Sequence, residues 1–438
     1  MKKPVQIILM LILVFHSNIL LCQNQNTVMP WVGMEEFIYH NLPVGGWNVL
    51  GPFSARATAM GETFFSSLNP FAGYLNPAFL NVLTRPQFSL NFNYTENTYK
   101  NSSGNPFIYL VDEVGQKNSF IRKTDYLDGV GIALPFKKWT VAANYFIFQE
   151  FNFPNVKTDF YFSPSKVKQT GKMKGVNLAL SHCITSSFSV GISAAYVFGE
   201  ISRFQVSGPV YRILNEGFSG QNFRLSSEFI PSPFPGILTL ENYDLDLKGL
   251  FFSLGFNFKL SEKWLVGLAL RPPFKINLKT RVEYTFPEIK IPAETSSGDF
   301  YLKQPFVAVA SVLYKPISSF QVTADLSFWG WSNATSDYRP SWYYPYNFKD
   351  IIRLNLGAEY QIDLPFKLIE GVSFRTGYIY DPQPYTYNES FSRSFFCAGV
   401  CLSIGNLEFE SAVKISLVPA ELQRFHSNLF RLGISYQF

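Results

Sequence analysis

The sequence predicts an all-β chain: a 14-stranded antiparallel transmembrane β-barrel of the outer membrane, preceded by an irregular N-terminal segment. Three observations predict it. From about Pro86 onward, apolar and polar residues alternate in run after run. Aromatic residues make up 17% of the chain and charged residues only 16%, against roughly 25% charged in an ordinary soluble domain. The connections between the alternating runs are short and long by turns, as in barrels with short periplasmic turns and long outer loops.

The N-terminus reads as an address. Lys2 and Lys3 precede an apolar stretch from Val5 to Leu21, and the chain turns polar at Gln23. This is the pattern of a secretory signal peptide over residues 1–22, cleaved between Cys22 and Gln23. Lipidation of Cys22 is the alternative, disfavoured by the bulky Leu21 before it. No later stretch approaches the ~18 uninterrupted apolar residues of a helical span. Losing Lys2 and Lys3 lowers the net charge from +5 to +3. That is too weak to imply a nucleic-acid partner, and no basic cluster occurs.

Residues 51–80, GPFSARATAMGETFFSSLNPFAGYLNPAFL, hold neither a helical nor a strand period for long. Small residues, Asn and Pro dominate, so the segment is expected to be compact and turn-rich. Asn76 and Pro77 are expected to fix a turn, with the Asn76 side chain bonding nearby backbone.

Fourteen runs then have strand character: 86–97, 127–136, 138–150, 171–184, 187–200, 244–260, 263–283, 299–315, 319–330, 348–362, 370–381, 391–404, 406–418 and 424–438. Alternation is clear where Phe252, Leu254, Phe256 and Phe258 oppose Ser253, Gly255 and Asn257. It is as clear where Phe188, Val190, Ile192 and Tyr196 oppose Ser189, Gly191 and Ser193, and from Phe430 to Phe438. Gly and Ser on the polar face favour a closed barrel over a one-sided soluble sheet. The short connections include Lys137-Lys138 and Ser261-Glu262; the long ones include 98–126, 151–170, 201–243 and 331–347. An even strand count puts both barrel ends in the periplasm. Trp139 and Trp264 are expected in an inner aromatic girdle, and Trp329, Trp331, Trp342, Tyr343, Tyr344 and Tyr346 at the outer one.

Register places Arg271, Asp325, Arg353, Glu359, Arg375, Glu408, Glu410, Lys414 and Arg431 on the luminal face. Mixed signs disfavour a simple charge-selective pore. Two uses remain open for these side chains: a web of ion pairs that fixes the barrel and holds a plug, or contact with the head group of an acidic amphiphile, for which Arg271 and Arg375 are the leading candidates. Cys397 and Cys401 share a strand face about 13 Å apart, too far for a disulfide. No His accompanies them, so neither a metal nor another cofactor is expected. G-x-S-x-G and H-E-x-x-H are both missing from the sequence, and an enzyme is not expected.

Ala55-Arg56-Ala57-Thr58-Ala59-Met60-Gly61 followed by Asn76-Pro77-Ala78 resembles the N-terminal hatch of FadL-type outer-membrane transporters of long-chain fatty acids and other hydrophobic compounds. Later segments agree in order: Gly267 to Arg271-Pro272-Pro273, Asp325 to Trp331-Ser332, Lys349-Asp350 to Arg353 with Gly357 to Tyr360, and Arg375 to Tyr378 with Asp381. The resemblance implies a hatch within residues 23–85, marked by Gly61, Asn76, Pro77 and Ala78, and a barrel over 86–438 that passes hydrophobic solutes without energy input. The chain departs from the family's pattern at Glu62, Asn69 and Phe71.

The expected function is a passive outer-membrane channel for hydrophobic or amphipathic small molecules such as long-chain fatty acids, in contact with outer-membrane lipid. The apolar connection 201–243, with Phe204, Tyr211, Ile213, Phe229 and Phe234 among others, fits such a ligand. It equally fits the alternative, a barrel resembling the PorV type that binds or shuttles secreted proteins.

Overall fold

The computed structural model describes residues 54–100, 109–111, 119–151, 153–160, 163–207, 239–286, 291–336, 348–365, 369–382, 384, 392–417 and 425–438. The expected leader at 1–22, residues 23–53 and the central part of the 201–243 connection lie outside the described residues. So do Trp342, Tyr343, Tyr344 and Tyr346.

Fourteen antiparallel strands close into a barrel. They are β1 (Gln87–Lys100), β2 (Ser119–Phe136), β3 (Trp139–Glu150), β4 (Ser163–Thr185), β5 (Phe188–Ser207) and β6 (Thr239–Lys259). Then come β7 (Trp264–Arg271 and Lys275–Phe286), β8 (Ile291–Lys303 and Phe306–Ile317), β9 (Phe320–Gly330) and β10 (Ile351–Asp363). The last four are β11 (Gly371–Pro382), β12 (Ser392–Ile404), β13 (Leu407–Ser416) and β14 (Phe425–Gln437). β1 pairs with β14 from Gln87↔Gln437 to Tyr99↔Phe425, which shuts the ring and leaves no edge at the chain ends.

The alternation read from the sequence is the alternation of the two faces. Phe252, Leu254 and Phe258 are exposed on the outside of β6, while Ser253, Gly255 and Asn257 are buried within. Leu178, Ile192, Phe374 and Phe430 continue the outer apolar surface on other strands.

Two of the expected runs are interrupted. Residues 263–283 break after Arg271, at Pro272-Pro273-Phe274, and 299–315 break at Gln304-Pro305. Proline has no N–H to give the ladder. The breaks lie side by side, and the Gln304 N–H donates to the Phe274 carbonyl at 2.7 Å. Elsewhere the ladders run further than expected. β4, β5 and β6 have 23, 20 and 21 residues, where about 9–11 cross a membrane. Their pairing continues to Ser165↔Ser207 and Ser207↔Thr239, so parts of 151–170 and 201–243 are strand rather than loop.

At the short-turn end, Trp139 stacks on His182 with ring centres 3.9 Å apart, and Trp264 stacks on Tyr314 at 4.2 Å. Both tryptophans are partly exposed on the outer face, as a girdle requires. Trp329 and Trp331 differ from the expectation: both are buried inside the barrel. The parity of β9 places Trp329 on the same face as Asp325 and Ser327, which is luminal.

Candidate functional site

Residues 54–83 fold as short helical pieces inside the barrel. α1 (Ala55–Ala59) is capped by the Ser54 hydroxyl, which accepts from the Ala57 N–H at 3.1 Å. A 3-10 turn covers Phe64–Ser66, α2 covers Ala72–Leu75, and a second 3-10 turn covers Pro77–Val82. As the sequence suggests, Asn76 starts that last turn: its Oδ1 accepts from the Ala78 N–H at 3.1 Å, and Pro77 stands at a first position that needs no N–H.

Contacts on all sides place this segment in the lumen. Asn76 donates to Asn257 on β6, and the Ala78 carbonyl accepts from Ser181 on β4 and Ser189 on β5. The Pro70 carbonyl accepts from Asn144 on β3. Phe65, Ala72, Phe79 and Leu80 pack on the small side chains Ala133, Ala142 and Ala179. Gly61, at φ +68, lies against the backbones of Leu356 on β10 and Tyr378 on β11, while Gly357 faces Met60 and Gly377 faces Met60 and Gly61, so a Cβ on any of the three glycines would collide. Glycine meets two demands at this point: the left-handed turn and the close approach.

The opposite side of the segment is held by charge. Near the short-turn end, Arg56 pairs with Glu359 at 2.8 Å, Glu359 with Arg375 at 2.7 Å, and Arg375 with Glu410 at 2.9 Å. Nearer the long-loop end, Glu62 accepts from Arg353 at 2.7 Å and from Lys414 at 2.6 Å. Behind them, Asp381 lies 3.8 Å from Arg353 and 3.2 Å from Arg393. Arg431 reaches both Asp128, at 2.7 Å, and the Thr58 hydroxyl. Burial opposes ionisation of Glu62, but Lys414 and Arg353 outweigh it and hold the carboxyl at about 2. Its backbone is also unusual, at φ 59, and Asn355 ties the turn down by donating to the Gly61 and Glu62 carbonyls.

The luminal residues expected from sequence thus divide three ways. Arg353, Glu359 and Arg375 come together in the ionic web on β10 and β11. Asp325 stands apart on β9, where its carboxylate accepts from the Phe64 N–H at 2.7 Å and caps the first 3-10 turn. Arg271 lies on β7, stacked against the rings of Tyr74 and Phe251, each centred 4.7 Å from its guanidinium carbon. It also donates to the Tyr74 hydroxyl at 3.3 Å, and burial keeps that phenol above its ordinary pKa. Sequence reasoning passed over Arg56 as a partner and treated Glu62 only as a departure. A signal was available: they are the only Asp, Glu, Lys or Arg between residues 51 and 83.

Above the segment, the inward faces of β3 to β9 carry a cluster of apolar side chains. Phe146, Val197, Leu247, Phe251, Ile276 and Val309 are among the buried side chains there, and they pack with Tyr74 and Leu75 of the segment. Trp329 and Trp331 close this region toward the long-loop end, with rings 6.3 Å apart. The lumen is therefore uneven: mainly apolar along β3–β9, with Arg203, Arg271 and Asp325 set among the apolar side chains, and rich in ion pairs along β10–β14.

β2 and β3 pair from Phe136↔Trp139 to Gly129↔Phe146, and among the described residues their pairing stops there. Beyond that point β2 continues along β1 to Ser119, and β3 continues along β4 to Glu150.

Residues 51–392 match the family described as outer membrane protein transport protein (OMPP1/FadL/TodX). No curated protein sequence matches the chain. Among solved structures it is similar to a FadL homologue of Pseudomonas aeruginosa, at 16% identity over 88% of this chain and 98% of that one, with a TM-score of 0.61. It is also similar to the toluene transporter TbuX of Ralstonia pickettii (16% identity, 89% and 99% covered, TM-score 0.57) and the toluene transporter TodX of P. putida (14%, 89% and 99%, 0.57). At these identities the likeness is one of fold. The family match covers well over half of the chain, which therefore belongs to the OMPP1/FadL/TodX family of outer-membrane transport proteins.

Proposed function

We propose that the chain is a passive outer-membrane channel for hydrophobic or amphipathic small molecules, long-chain fatty acids among them, and that residues 54–83 act as its hatch. The observation that carries this reading is the apolar half of the lumen, from Tyr74 and Leu75 up to Trp329 and Trp331. A polar solute entering there would lose its hydrogen bonds to water and gain few in return. An apolar solute exchanges side-chain contacts for contacts with itself, at little cost. The toluene transporters of similar fold support the same class of solute.

Arg271 refines the class. Its guanidinium sits among aromatic rings at the floor of the apolar half, the arrangement that suits a carboxylate on a long apolar tail. The parting between β2 and β3 gives such a molecule a sideways path toward the bilayer, which spares its tail a return to water. The ionic web on the other side anchors the hatch in this account.

The test is extraction of lipids from the detergent-purified, folded barrel, analysed by mass spectrometry beside an unrelated barrel handled identically. Enrichment of a hydrophobic or amphipathic compound supports the channel. A co-purifying secreted protein with no enriched compound would overturn it in favour of a protein carrier.

A further inference from the structure

We propose that Arg353 and Lys414 form an anion site which the chain fills with its own Glu62, and that the carboxylate of an acidic amphiphile displaces Glu62 and so releases the hatch. The inference rests on the channel reading and adds to it a ligand-driven opening step.

The two cations come from different strands, β10 and β13, and meet on one carboxylate, Glu62 Oε2 and Oε1 respectively. Such a two-sided grip on a carboxylate is the chemistry that binds a fatty-acid head group. Arg353 and Lys414 each lie two residues from the long-loop end of their strand, so the site faces the side from which a solute arrives. The site is also supported without Glu62. Asp381 stands beside Arg353, and Arg393 in turn holds Asp381. With Glu62 withdrawn, Lys414 loses its ion-pair partner and Arg353 keeps only the longer contact with Asp381 among its ion pairs, so an anion is favoured between the two cations.

Glu62 is an occupant suited to displacement. It belongs to the hatch rather than to the wall, and it is presented from a left-handed backbone that non-glycine residues seldom adopt. A tethered carboxylate competes only at the effective concentration its tether sets. An amphiphile gathered in the adjoining apolar half of the lumen can exceed that concentration. Once Glu62 lets go, Asn355, the glycine contacts at Gly61 and the hydrogen bonds of Thr63 to Thr323 and of the Phe64 N–H to Asp325 remain as the hold on this turn.

The experiment is equilibrium binding of oleate and of oleyl alcohol to the folded full chain, as wild type, Glu62→Gln and Glu62→Gly. The Gly variant keeps the left-handed turn free of strain. Removing the internal competitor should tighten oleate about tenfold and leave the alcohol unchanged. An unchanged oleate-to-alcohol ratio overturns the displacement while leaving the channel reading intact. Failure of every form to bind either probe overturns the channel reading and this step with it. Should the variants not fold, hydrogen exchange on the wild type decides: oleate, and not the alcohol, should speed exchange of the Gly61–Phe64 amides. Equal effects of the two probes would overturn the proposal.

Discussion

The Glu62 carboxylate and the Arg353 guanidinium meet at 2.7 Å although they lie 291 positions apart in sequence. Both are buried, so the pair fastens the hatch segment to the barrel wall where water contributes little screening. Arg353→Met leaves Glu62 with Lys414 as its direct cation and should cost about 3–5 kcal/mol in local stability. Protease accessibility of residues 54–83 should rise, and so should conductance in planar bilayers.

The same carboxylate makes the hatch acid-sensitive, in a defined range. Against the opposing effect of burial, Lys414 and Arg353 hold the Glu62 carboxyl at about 2 in the folded barrel, below its ordinary 4.5. A carboxyl depressed on folding stabilises the folded state fully above about 4.5 and loses that contribution as pH falls to about 2. The shift corresponds to roughly 3 kcal/mol. The step in conductance that Glu62 contributes should appear only below about pH 3. Glu62→Gln should abolish that acid step, which bilayer recordings across the range would reveal.

Gly377 faces Gly61 so closely that a methyl group meets the hatch backbone at Gly61 and Met60. Gly377→Ala should push the Gly61 turn out of its seat and raise conductance. Gly330→Ala is the control, since a Cβ there meets only ordinary contacts at 3.7 Å. Recording both variants side by side separates loss of the seat from loss of glycine.

Asn76 both caps its own turn and donates to Asn257 at 3.1 Å. Asn76→Ala removes the cap and leaves a buried amide short of a partner, at a cost of about 1–3 kcal/mol. Hydrogen exchange should show faster opening of Ala78–Leu80 with the barrel strands unaffected.

Arg271→Leu keeps the apolar packing against Tyr74 and Phe251 and removes the charge. Oleate affinity should fall about tenfold while oleyl alcohol binds as before. Arg271→Lys should recover part of the loss, because it restores the charge without the planar stacking surface.

Much of this architecture was legible because a barrel wall writes its two faces into the sequence. The outward Phe252, Leu254 and Phe258 and the inward Ser253, Gly255 and Asn257 fix both strand and register. Asn76-Pro77 could be read as a turn because capping is local chemistry. The Glu62 contacts could not be read that way, since they depend on how the hatch is seated against β10 and β13. Trp329 was misplaced for a different reason: an aromatic near a strand end fits a girdle in composition, and only parity with Asp325 turns it inward. The breaks at Pro272-Pro273 and Pro305 were available from the sequence, but continuing alternation on either side masked them.

The measurement that bears most directly on the central claim is uptake of radiolabelled oleate and toluene by cells that lack their own hydrophobic-compound channels and express this chain. The wild type should raise uptake of at least one solute above the empty vector. Leu247→Lys, which sets a charge in the apolar half of the lumen, should return uptake to the vector level while the barrel remains folded by heat-modifiable gel mobility. Equal uptake by wild type, Leu247→Lys and vector would contradict passage of hydrophobic solutes through this lumen.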